Sequence, residues 1–169
     1  MSTYKHFLNK LENSSHIADR RIEDIELIAV SKKKPIIDIQ SVIDEGHLLF
    51  GENQIQEIEK KWPELKKSNS NIELHFIGSI QSRKVDSIHE HCEVIHSLDR
   101  MKIVKLFSEL ETAKSKKRKY FIQINTGNEP QKSGVLLNEA GEFISDCVSN
   151  YNLKIIGLMC LPPINEDSR

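Results

Sequence analysis

Six short, mostly apolar segments alternate with amphipathic ones along this 169-residue chain. That alternation predicts an α/β fold, a parallel sheet with helices outside it. A second observation is positional. Lys32, Asn53, His75, Ser97, Asn125 and Met159 fall at or just past the carboxyl ends of successive predicted strands, where barrels and open α/β sheets alike place ligand sites. Third, no Gly-x-Gly-x-x-Gly follows the first strand, which counts against a dinucleotide-binding fold. A doubly wound sheet and part of a (β/α)₈ barrel both satisfy these observations.

Each element has its own signal. Tyr4, Phe7, Leu8 and Leu11 recur at helical spacing. That first helix ends near Asn13-Ser14-Ser15 or continues with a break toward Ile22. Leu27 to Ser31 is the first strand. Pro35 suits a helix first turn, and the stripe Ile36, Ile39, Val42, Ile43 stops at Gly46. His47 to Gly51 is a second strand, and Ile55, Ile58, Trp62 and Leu65 mark a third helix whose end Pro63 obscures. Residues 66–71 are polar and turn-rich, so a loop is expected there. Ile72 to Gly78 is a strand, followed by a helix around Val85 and Ile88. Val94 to Ser97 is the next strand, with Asp99 a candidate cap for the helix carrying Ile103, Val104, Phe107 and Leu110. Tyr120 to Asn125 is the clearest strand. Leu136, Leu137, Ala140, Phe143, Ile144 and Val148 predict a helix, and Lys154 to Met159 a sixth strand before Pro162-Pro163 and a polar tail.

Composition narrows the class. Apolar residues make up 38% and charged residues 29%, and 24 Lys and Arg nearly balance 25 Asp and Glu. Such a balance gives no net field to attract nucleic acid or an anionic membrane. No window approaches the run of about 20 apolar residues that a membrane span needs. The N-terminal residues 1–7 lack the apolar core of a signal peptide. Cys92, Cys147 and Cys160 are an odd number without a short pairing motif, which fits a reducing compartment. A cytoplasmic protein is expected.

The stretch Leu27-Ile28-Ala29-Val30-Ser31-Lys32-Lys33-Lys34-Pro35 is the chemical centre of this reading. A lysine at the end of a buried strand would have its pKa depressed, favouring the neutral amine that attacks an aldehyde. Three lysines at such a junction are more often a solvated loop, so the stretch alone does not decide. His89, His91, Cys92 and His96 cluster in sequence but match no usual zinc spacing, and no metal site is expected. The basic run Lys114, Lys116, Lys117, Arg118 and Lys119 lacks the interleaved aromatics of a base-stacking surface and reads as a solvated loop.

Six motifs stand in one order: Ala29-Val30-Ser31-Lys32 with Lys34-Pro35; Phe50-Gly51-Glu52-Asn53; His75-Phe76-Ile77-Gly78 with Gln81-Ser82 and Lys84; Ile95-His96-Ser97 with Asp99-Arg100; Gln131-Lys132-Ser133-Gly134; and Gly157-Leu158-Met159-Cys160 with Pro162-Pro163. From about Leu27 onward the chain resembles the pyridoxal-phosphate homeostasis protein family, whose fold is like the N-terminal barrel of alanine racemase. The resemblance implies a single domain over 1–169: about six parallel β/α units of an eight-unit TIM-type barrel, preceded by a helix. It implies pyridoxal 5′-phosphate held as a Schiff base on Lys32, with Asn53, His75, Ser97, Asn125 and Met159 as further cofactor-binding positions and Lys34 and Lys132 nearby. The role it implies is non-catalytic, in vitamin B6 balance. A pyridoxal-phosphate-dependent racemase is the alternative enzyme, and a fragment that no longer binds the cofactor is the other alternative.

Some positions depart from the family's pattern. Leu74 stands where it usually has Trp, Gln54 where it has Tyr, and Ser79 where it has His. Family members run on for roughly two more β/α units, which carry phosphate-cradling loops and an arginine facing the pyridine nitrogen. Loss of those units predicts weaker phosphate capture. It also predicts two open sheet edges, to be covered by a second chain or left as an open sheet.

Overall fold

The computed structural model describes residues 2–162. Helix α1 (Thr3–Ile17) and a 3₁₀ turn (Ile22–Asp24) precede the first strand. There follow β1 (Ala29–Val30), α2 (Ile36–Asp44), β2 (Leu49–Glu52), α3 (Ile55–Ser68), β3 (Glu73–Phe76), α4 (Val85–His91) and β4 (Val94–Leu98). The chain continues through α5 (Met101–Lys114), β5 (Lys119–Asn125), β6 (Val135–Leu136), α6 (Ala140–Ser149) and β7 (Lys154–Cys160). All pairings are parallel.

Strand order chooses between the two architectures that the sequence leaves open. β1, β2, β3, β4 and β5 are neighbours in chain order, and β7 pairs along β5 from Lys119↔Lys154 to Ile124↔Cys160. A doubly wound sheet reverses its order at a switch point. Here the winding never reverses, as in a (β/α) barrel, so the fold is a partial barrel of six principal strands. β6 is a short addition that pairs only with Ile124 and Asn125 at the carboxyl end of β5.

The core lies between the sheet's outer face and the helices. Phe50 packs on Trp62 of α3 with ring centroids 5.2 Å apart, and Tyr120 packs on Phe107 of α5 at 5.2 Å. Leu74, Ile88, Ile95, Val104 and Ile122 fill the same layer, fully buried. Bridge partners share a face. Val30, Gly51 and His75 are consecutive partners and so define the opposite, inner face. At the sheet margins large apolar side chains stay exposed: Val30 on β1, Ile156 and Leu158 on β7.

Four expectations need correction. Helix α3 runs through Pro63 to Ser68 instead of yielding to a loop at Lys66. Proline inside a helix costs about 3 kcal/mol, but burying Ile58, Trp62 and Leu65 on one stripe, at about 1.5–3 kcal/mol each, outweighs it. Leu136 is not helical. Gly134, at φ +128°, brings the backbone so close to Asn125 that a Cβ there would lie 2.7 Å from its nitrogen, and the next two residues pair as β6. Asp99 caps nothing: Arg100 occupies the N-cap position of α5 without a side-chain cap bond, and Asp99 pairs with the Arg100 guanidinium. The buried first strand is only Ala29–Val30, and Val30 is 48% exposed. Among the described residues β1 pairs with β2 alone, so its other edge is unpaired. Pro163 and the polar tail lie outside the described residues.

Candidate functional site

Lys32 follows Ser31 at the carboxyl end of β1. Ser31 extends the ladder by donating its N–H to Gly51 O (3.0 Å), and its buried side chain points to the helix layer. Lys32 lies past the strand, in the turn that Lys34 N–H closes on Ser31 O at 3.1 Å. Its side chain is exposed. The burial on which the reactive-lysine argument rested is absent, because an edge strand cannot enclose its own end. What the fold supplies instead is access.

Next on β2's carboxyl end comes Asn53, whose Oδ1 is buried without a hydrogen-bond partner. Its backbone carbonyl abuts Gly78, where an added Cβ would sit 2.1 Å from that oxygen. Ser97, buried beneath β4's end, donates Oγ–H to the Gly78 carbonyl. Asn53, Gly78 and Ser97 thus form one contiguous wall.

Asn125 is occupied elsewhere. Its Nδ2 donates to Glu129 O (2.8 Å) and its Oδ1 accepts from Glu129 N–H (3.1 Å), which folds the loop between β5 and β6. Met159 is half-buried on β7 opposite Gln123. Lys132 Nζ lies 2.6 Å from Glu129 Oε1. Lys34 lines a cleft of about 690 Å³ between α1, β1 and α2, with Tyr4, Ala29, Ile39 and Phe50. That cleft is on the helix side of β1 and is not lined by Lys32.

His75 lies inside β3, one residue before the strand's end and opposite Gly51. Its Nδ1 is 2.8 Å from His96 Nε2, and its Nε2 is 3.3 Å from Glu73 Oε1 without hydrogen-bond geometry. His96 stacks on Phe121 (centroids 4.4 Å), while Lys119 Nζ pairs with Glu73 at 2.8 Å. Burial lowers the pKa of both histidines, that of His96 to about 4. This network fills the inner face nearer the strands' amino ends, and sequence reasoning missed its Glu73, Lys119 and Phe121. Strand alternation was the available signal: Lys119 and Phe121 lie two apart on β5 and so share a face.

A second unpredicted group sits beneath Lys32. Glu52, fully buried, is 2.6 Å from Lys61 Nζ and accepts from Ser31 Oγ (2.9 Å) and Trp62 Nε1 (3.3 Å). Its signal was a carboxylate at a strand position flanked by core residues, which must find a cation.

The histidine cluster and the basic run have structural surroundings of their own. His89 and His96 belong to different surroundings, since His89 Nε2 contacts Lys116 O. Among the described residues no group of three or more His, Cys, Asp or Glu could hold a metal. In the basic run, Lys114 pairs with Asp86, Lys117 with Glu111 and Lys119 with Glu73, and buried Arg118 donates to His89 O. Among the described residues no helix is long and apolar enough to cross a membrane.

Order of winding, inner-face polar residues and a lysine at the end of β1 define the class: residues 8–168 match the family model described as the alanine racemase N-terminal domain. A relative named pyridoxal phosphate homeostasis protein, from Pasteurella multocida (strain Pm70), is 34% identical over 157 residues, which cover 93% of this chain and 67% of that protein. The chain belongs to the alanine racemase N-terminal domain family and, within it, to the pyridoxal phosphate homeostasis proteins. PipY of Synechococcus elongatus PCC7942, solved without PLP, superposes with a TM-score of 0.80 at 25% identity, covering 93% of this chain and 73% of that one. Its PLP-bound form gives 0.77 at 24% identity, over 92% and 71%. Alanine racemase of Clostridium difficile 630 shares the fold alone, with a TM-score of 0.69 at 13% identity over 90% of this chain and 38% of that enzyme.

Proposed function

We propose that this protein is a non-catalytic carrier of pyridoxal 5′-phosphate, serving vitamin B6 balance in the cytoplasm, with the cofactor held as a Schiff base on Lys32. The observation that carries the reading is the exposed Lys32 amine at the carboxyl end of β1, in a chain 34% identical to a protein named for pyridoxal phosphate homeostasis.

The residues fit the aldehyde end of such a group. Lys32 offers a reachable primary amine, and attachment forms one C=N bond and releases one water. The orphaned, buried Oδ1 of Asn53 is an acceptor for a donor on the ring side. Ser97 holds the wall behind it through Gly78, Asn125 shapes the adjoining loop, and Met159 supplies apolar contact on β7. When bound, the cofactor supplies an electron-withdrawing ring that stabilises carbanions in enzymes built to use it. Racemisation needs a second acid/base group across that ring. The inner-face histidines His75 and His96 are instead engaged with each other and with Phe121, which favours a carrier.

The test is direct. Mixing the protein with pyridoxal 5′-phosphate should give a visible absorbance band, and borohydride reduction should leave a phosphopyridoxyl group, the cofactor's mass less one oxygen, on the peptide containing Lys32. Lys32→Ala should lose both signals. A wild-type protein without band or adduct would refute the carrier reading and leave a fragment that does not bind the cofactor.

A further inference from the structure

The turn that presents Lys32 is clamped on both sides of it. Before Lys32, Ser31 donates Oγ–H to Glu52 (2.9 Å) and accepts Lys61 Nζ at its carbonyl (3.1 Å). After it, the Lys33 N–H donates to Glu57 Oε2 (2.7 Å). Lys61 ties the two clamps together, 2.6 Å from Glu52 and 2.8 Å from Glu57. Lys34 N–H closes the turn on Ser31 O at 3.1 Å. Lys33 itself sits at φ +59°, a left-handed conformation that a non-glycine residue keeps only where its surroundings impose it.

A solvated lysine loop requires none of this. Burying the Glu52–Lys61 pair incurs a desolvation penalty that apolar residues of similar size would avoid. Glu52 holds the Ser31 hydroxyl and Lys61 the Ser31 carbonyl, immediately before the exposed Lys32. We propose that Glu52, Glu57 and Lys61 are positioning residues, which fix the direction in which Lys32 offers its amine to an aldehyde. This rests on the reading that Lys32 takes the cofactor. Holding a nucleophile's stem rigid removes the entropy cost of orienting it at the moment of reaction.

Glu57 is the place to test it, because its side chain lies at the rim, 23% exposed, and its loss should not unfold the core. Glu57→Ala removes the acceptor for Lys33 N–H. Glu57→Gln removes the charge but keeps an oxygen there. Two readouts apply to wild type and both variants: hydrogen exchange at the Lys33 amide, and the rate of borohydride-trapped adduct with pyridoxal 5′-phosphate. Glu57→Ala should exchange about tenfold faster and form adduct about tenfold more slowly. Glu57→Gln should stay within about threefold of wild type in both.

Adduct formation at the wild-type rate in Glu57→Ala, despite faster exchange, would show a brace with no positioning role and overturn the proposal. So would Ala and Gln variants that slow equally, since charge and not geometry would then be the cause. Unchanged exchange at Lys33 in Glu57→Ala would show that the clamp itself is not formed. A wild type that forms no adduct removes the Lys32 reading and the positioning role with it, and its protected Lys33 amide would separate that outcome from a missing clamp.

Discussion

Gly78→Ala tests the wall of the site at its tightest point. A Cβ at residue 78 would lie 2.1 Å from Asn53 O, 2.7 Å from its carbonyl carbon and 2.8 Å from its Cα. All three are backbone atoms at the end of β2, so no rotamer change relieves the clash. The opposite side is closed as well, because the buried Ser97 hydroxyl holds the Gly78 carbonyl. Overpacking of a core typically costs about 1–3 kcal/mol, and backbone on one side with a buried hydrogen bond on the other places this change near 3 kcal/mol. For a chain of this size that lowers the melting temperature by about 6–12 °C. Thermal unfolding followed by circular dichroism measures it. A melting temperature within about 2 °C of wild type would refute the close approach of Asn53 and Gly78, and with it the contiguous wall.

The inner histidines predict a pH dependence. Burial, and then for His96 the neighbouring His75, holds the pKa of His96 at about 4, below the ordinary value of about 6.5. His75 is lowered too, by burial first, with Glu73 opposing and Lys119 assisting. The unfolded chain therefore binds protons first, so stability is complete above about pH 6.5 and falls as the pH drops toward 4. His96 alone accounts for about 3 kcal/mol, and His96→Gln should flatten urea-unfolding free energies over that window; an unchanged slope would refute the assignment. Lys61→Met should cost about 3–5 kcal/mol by stranding the buried Glu52 carboxylate, while the double variant with Glu52→Gln should recover much of it; a single-variant cost below about 1 kcal/mol in the same assay would contradict a buried pair. In native protein a disulfide reagent should label the exposed Cys160 alone, since burial pushes the Cys92 and Cys147 thiols up to about 12. Rapid release of three equivalents would show that those two thiols are open.

Much of this molecule is written in its local pattern. Short apolar runs between amphipathic stripes determine six parallel strands and their helices, because a strand buried on its outer face by a helix needs little else. The ordered motifs likewise mark Lys32, Asn53 and Ser97 at strand ends, where the structure has them. Contacts across elements were not legible in the same way. Pro63 stays helical because Trp62 and Leu65 are buried on its own helix, a gain that no local propensity records. His75 points to His96, 21 residues away, which in turn stacks on Phe121, so its role depends on β4 lying beside β3 and β5 beside β4 in register.

The stretch around Lys32 shows the division most clearly. The sequence by itself determined that a lysine follows the first strand and that a proline-started helix follows the lysine. Only the tertiary structure decided that this lysine is exposed, since β1 lies at the margin of the sheet with β2 as its paired neighbour. The fold also decided that Ser31 and Lys33 are held by Glu52, Glu57 and Lys61, which packing brings together across 20 to 30 residues of chain. Periodicity fixes which way a side chain turns from its own strand. What it meets there is settled by the neighbours that packing supplies.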